Sequence, residues 1–122
     1  MVVANNLASL LSTYREDEES LTRAWNVARR FNDTEIPAMQ DTYGWILHRR
    51  GESAEALPYL EAAAAGLPND PIVQYHLGQV YQALDRPDDA LAQYRIAVQL
   101  AGPDDTRDQI ITARAEVAAA DN

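Results

Sequence analysis

The 122-residue chain contains no cysteine. Disulfides and cysteine-based metal sites are excluded, and redox chemistry leaves no mark from which to read a compartment. Lysine is missing as well: all ten basic residues are arginine, set against nineteen acidic ones. A net charge of −9 argues against broad binding to nucleic acid or to anionic membranes, both of which need basic patches. It suits basic partners, and it suits solubility above all. No apolar run approaches the ~18–20 residues of a membrane span. The opening stretch MVVANNLASLL has neither a basic leader nor a small-residue cleavage site, and is read as folding chain rather than a signal peptide.

Catalytic constellations are missing too. With two histidines, no cysteine and no glycine-rich loop after a strand, the chain offers no nucleophile–base pair and no phosphate cradle. Its carboxylates are scattered over expected helix faces rather than paired. His48 and His76 are the one pair worth testing as metal ligands. They differ by six residues of phase on neighbouring helices, roughly 9 Å of axial rise, too far for a compact site. Neither an enzyme nor a cofactor or metal is expected.

What the chain does have is a repeated unit. PIVQYHLGQVYQALDRPDDALAQYRIAVQLAGP, from Pro71 to Pro103, reads as two helices around an Asp85-Arg86 turn. Asp70 is placed to cap the first, Pro71 to open it, and Val73, Leu77, Val80, Tyr81 and Leu84 form one apolar face. Pro87 opens the second, with Ala90, Leu91, Tyr94, Ala97, Val98 and Leu100 as its stripe. Sliding the sequence by 34 residues puts Pro37 on Pro71, Gln40 on Gln74, Gly44 on Gly78, Ala56 on Ala90, Leu57 on Leu91, Ala63 on Ala97 and Asp70 on Asp104. Tyr43, Leu47 and Leu60 meet Leu77, Tyr81 and Tyr94, so apolar character persists where identity does not. A fixed period of this length signals a helical repeat array.

The unit resembles the tetratricopeptide repeat. That pattern's Leu-Gly pair, first-helix aromatic, second-helix Ala and second aromatic fall on Leu77, Gly78, Tyr81, Ala90 and Tyr94. Upstream they fall on Tyr43, Gly44, Leu47, Ala56 and Leu60, with Pro68 as the closing proline. Two places depart: the early tryptophan is Gln40 and Gln74, and the second closing proline comes late, at Pro103. The resemblance implies an all-α, right-handed α–α superhelix of about three helix pairs plus a C-terminal capping helix. The expected units are a degenerate repeat over 1–36, repeats over 37–70 and 71–104, and a cap over 105–120. Gly44 and Gly78 would let the second helix approach, with Ala56 and Ala90 as the matching small surface. Ala63 and Ala97 would admit the next first helix.

In the degenerate unit a first helix is expected over Val3–Tyr14 and a second over Glu18–Phe31, with Leu21, Trp25 and Ala28 in the family's places. The acidic run Arg15–Glu19 between them favours the helix dipole. In the central unit Gly51 is expected to turn the chain and Pro58 to bend the second helix slightly near its start. Asp105 or Thr106 would cap the last helix, which packs through Ile110, Ala113, Val117 and Ile111. Because the chain begins within a unit, it reads as a piece of a longer array.

In arrays of this kind the first helices line a concave groove, and the residues not needed for packing choose the ligand. The resemblance makes Asn5, Ser9, Asp41, Thr42, Trp45, His48, Arg49, Tyr75, His76, Gln79 and Gln82 the candidates. Trp45 stands out as a hot-spot anchor, with packing between the first helices of units one and two as the alternative. Arg49 is suited to a ligand carboxylate. The carboxylate clamp found in some members is not expected, since its places hold Asn5, Ser9, Thr42, Ile72 and His76. The expected function is a protein-interaction scaffold binding a peptide or helix of a protein partner. The rival is a spacer or self-assembly segment, with the end helices as surfaces for a homo-oligomer. NNLASLL and DTYGWILHRRGESAEALPYLEAA are similar to repeats of bacterial proteins tied to exopolysaccharide and cell-envelope export. Partner, pathway and compartment, bacterial cytoplasm or periplasm, are not readable from these residues.

Overall fold

The computed structural model describes residues 18–29 and 32–121. The helix expected over Val3–Tyr14 lies outside them. The described residues form six α-helices and no strand: α1 (Glu18–Ala28), α2 (Pro37–Arg49), α3 (Ser53–Gly66), α4 (Pro71–Ala83), α5 (Pro87–Ala101) and α6 (Asp108–Ala120). Helices α2 and α3 pack as one antiparallel hairpin and α4 and α5 as the next, and α6 lies against both α4 and α5. The core runs through the stack along Ala28, Ile46, Leu60, Val80 and Tyr94.

Proline and aspartate set the helix starts. Pro37, Pro71 and Pro87 stand at the first position of α2, α4 and α5, where a missing amide costs nothing. Asp70 caps α4, its Oδ1 accepting from the amides of Ile72 and Val73 at 3.0 and 3.4 Å. The two hairpin turns share one design. The Gly51 amide donates to the His48 carbonyl and the Glu52 amide to the Leu47 carbonyl, a Schellman ending. Asp85 and Arg86 repeat those bonds to Gln82 and Tyr81. Gly51 has φ +85° and Asp85 φ +58°, so one repeat fills the left-handed position with glycine and the other with aspartate.

The glutamines that replace the early tryptophan also act alike. The Gln40 side-chain amide donates to the Thr34 carbonyl at 3.2 Å, and that of Gln74 to the Pro68 carbonyl at 3.4 Å. Each ties its first helix to the connection that leads into it, in place of an apolar plug.

Several expectations are corrected. The close partner of Gly44 is not Ala56 but Leu60 and Tyr59, and that of Gly78 is Tyr94 rather than Ala90, because the helices meet one turn further along. Leu100 is 38% exposed and Ile111 50%, since each lies on the side of its helix turned away from the stack. Helix α6 starts after Arg107, with no side-chain cap. Asp105 instead accepts from the Arg107 amide and pairs with its guanidinium. Helix α1 spans Glu18–Ala28, and the expected end at Phe31 lies outside the described residues. Trp25 stacks on Tyr43 with centroids 5.4 Å apart and carries the Arg50 guanidinium over its ring.

Candidate functional site

Successive first helices touch, α2 on α4 and α4 on α6, whereas α3 and α5 do not. The layer α2–α4–α6 is therefore the inner side of the curve. Helical side chains lean toward the N-terminus. Residues four apart on α2 and α4 consequently converge on the seam between the two helices.

That seam is aromatic. Trp45 stacks on His76 with centroids 4.1 Å apart and an interplanar angle of 18°. His48 lies 5.0 Å from the same indole and Tyr75 6.3 Å. The Arg49 guanidinium sits 5.8 Å from the ring centroid. Trp45 is only 7% exposed, and its ring contacts among the described residues are with His48 of its own helix and with Tyr75 and His76 of α4. Its indole N–H is buried without a hydrogen-bond partner, which costs about 1–3 kcal/mol relative to a satisfied donor. The two histidines, separated by helix rise in the sequence reading, thus meet the same ring because His48 leans back along α2.

The remaining candidates divide. Asp41 Oδ1 lies 2.7 Å from His76 Nδ1 and joins the two first helices. His48 Nδ1 lies 2.8 Å from Ser53 Oγ, and burial, then Arg49 and His76, lower its pKa to about 4. Thr42 turns inward, its hydroxyl donating to the Ala38 carbonyl. Gln79 donates to the Tyr94 phenol oxygen at 2.8 Å, and the Tyr94 hydroxyl donates to Gln82 Oε1 at 2.6 Å. These two glutamines hold the packing tyrosine from α4. Burial raises the Tyr75 phenol pKa. Asn5 and Ser9 lie outside the described residues.

Two residues of the inner face escaped the sequence reading, Thr112 and Glu116 of α6. They sit beside the Tyr75 phenol, and the Glu116 charge helps raise the pKa of Tyr75 and of Tyr94. Their four-residue spacing repeats that of Tyr75 and Gln79, and it is the signal in the sequence that puts both on one face of α6.

The described residues contain no group of three or more histidine, cysteine or acidic side chains placed to hold a metal. None of their helices is long and apolar enough to cross a membrane. Stacked helical hairpins with a polar and aromatic inner face define a helical-repeat scaffold. The tetratricopeptide repeat family model matches residues 47–108, just over half of the chain, and the chain belongs to that family. Comparison with curated proteins returns no match. Tetratricopeptide repeats generally mediate protein–protein interactions, and that broad class of function comes with the membership.

Proposed function

We propose that the inner face of α2, α4 and α6 receives a peptide or helix of a protein partner, with the Trp45–His76 seam at its centre. The observation that carries this reading is the aromatic seam that Trp45, Tyr75 and His76 form where the first helices meet. The half-buried Tyr75 and Gln79 edge the seam and are within reach of a bound segment, and aromatic surface of this kind suits hot-spot contact. Asp41, His76, Tyr75, Gln79 and Glu116 surround the seam with both donors and acceptors, which fits a peptide's mixed backbone chemistry.

The test is site-specific photo-crosslinking in the source cells, with the reactive residue at Gln82 on the inner layer or at Gln99 on the exposed side of α5. A partner captured at Gln82 and not at Gln99 is the expected result. Its capture should weaken in a Trp45→Phe, Arg49→Ala background that retains wild-type helicity. Capture at Gln99 alone would move the interaction to the outer face and overturn the groove reading.

A further inference from the structure

Beyond the seam, the C-terminal ends of α4 and α6 and the first turns of α5 enclose a hollow of about 380 Å³. Tyr94, Leu91, Ala119 and Ala120 supply its apolar surface, and two carboxylates line it, Asp88 from α5 and Glu116 from α6. Gln82, which also lines it, joins it to the inner face.

Among the described residues no cation offsets the charge there, and only the first-turn amides of α5 favour Asp88. No basic residue lines the hollow. Some carboxylates elsewhere are engaged, Asp41 by His76, Glu61 by Tyr81, Asp89 by Arg86, Asp105 by Arg107 and Asp121 by Arg95, and others such as Asp33, Glu55 and Asp104 stand on open surface, whereas Asp88 and Glu116 line a hollow. Among the described residues Asp88, which is exposed, and Glu116, which is half-buried, make no side-chain hydrogen bond or ion pair. Tyr94 offers Glu116 nothing, because its one proton goes to Gln82 and its oxygen already accepts from Gln79. Two carboxylates from different helices therefore face an apolar recess with no cation of their own.

We propose that this hollow takes a basic side chain, arginine or lysine, of a bound peptide. The aliphatic stem lies on Leu91, Ala119 and Ala120 and the cation between Asp88 and Glu116, the division that long basic side chains favour. Two carboxylates are too few oxygens for a dedicated calcium or magnesium site, whereas they match a guanidinium or ammonium. The chain's net charge of −9 draws such a partner in. The inference rests on the groove reading for the source of the ligand, and it gives that ligand a charge and a position.

The test is a titration of the isotope-labelled chain, followed by amide chemical shifts, with N-acetyl-arginine N-methylamide. Its uncharged isostere N-acetyl-citrulline N-methylamide is run in parallel. The arginine probe should shift the amides of Asp88, Leu91 and Glu116 saturably, with Kd of about 1 mM, the range for a fragment of its size. The citrulline probe should bind about fivefold more weakly or worse, and Asp88→Asn with Glu116→Gln should reduce the arginine probe to that level. Equal binding of the two probes would make the hollow an apolar recess and overturn the proposal. So would shifts spread evenly over exposed carboxylates such as Asp33, Glu55 and Asp104, or no saturation by about 20 mM. The probe comparison needs no variant to fold. Because it uses no partner protein, it stands or falls separately from the crosslinking at Gln82.

Discussion

A methyl group placed on Gly78 would lie 2.7 Å from Cε1 and 2.9 Å from Cδ1 of Tyr94. The Tyr94 ring has little room to yield, since Gln79 and Gln82 hold its hydroxyl from two sides and the residue is 2% exposed. Gly78→Ala should therefore lose about 1–2 kcal/mol in urea unfolding, although alanine gains about 1 kcal/mol in helix propensity. Gly44→Ala should cost less. Its added methyl would lie 2.8 Å from Leu60 Cγ and 3.1 Å from Tyr59 Cβ, a contact with no hydrogen-bonded clamp behind it. A Gly78→Ala midpoint at or above wild type would mean that the ring moves freely.

The repeat was legible because its signals are local and periodic. Small residues at 44 and 78, prolines at helix starts and the Asp70 cap can each be read from a few neighbouring residues. What escaped depends on contacts across the stack. That Gly78 meets Tyr94 rather than Ala90 is fixed by the helix crossing, which no spacing within one helix records. Thr112 and Glu116 join the inner face only because α6 packs beside α4. His48 and His76 both reach Trp45, one from its own helix and one across the seam, a convergence on a third side chain that axial rise alone does not record. Conversely, Gln79 and Gln82 looked available from sequence, yet both are bonded to Tyr94.

Asp85 occupies with φ +58° the position that Gly51 fills at φ +85° one repeat earlier. An L-residue there meets its own carbonyl oxygen, a penalty that aspartate softens without removing. Asp85→Gly should raise stability by about 0.5 kcal/mol, after glycine's greater unfolded-state freedom is subtracted. Gly51→Ala should lower it by about 1 kcal/mol. Both are read from paired urea curves, and a loss on Asp85→Gly would show that the aspartate side chain contributes to the turn.

The Asp41–His76 contact bridges α2 and α4 at 2.7 Å, with the two side chains 16% and 8% exposed. Removing one partner leaves the other poorly solvated. Asp41→Ala and His76→Ala should each cost about 1–3 kcal/mol. In a double-mutant cycle the pair should show a coupling energy of about 0.5 kcal/mol or more, because the residues touch. Strict additivity would mean that the two side chains contribute to the stack independently.

His48 gives the fold a pH dependence whose sign follows from its shift. Burial lowers its pKa to about 4, with Arg49 and His76 adding to the effect, while the unfolded chain titrates near 6.5. On acidification the unfolded state takes up the proton first. The stability tied to the neutral ring is present above pH ~6.5 and is lost as pH falls from there toward 4. The unscreened loss at pH 5 is about 2 kcal/mol, and partial exposure of the ring reduces it to about 1 kcal/mol. His48→Gln removes the titration and keeps a polar group near Ser53. Urea midpoints at pH 7.5 and pH 5 should then fall less for the variant than for wild type, by that ~1 kcal/mol. The difference between the two proteins isolates His48 from the many carboxylates that titrate in both. Parallel falls would mean that water reaches the ring and leaves its pKa near the ordinary value.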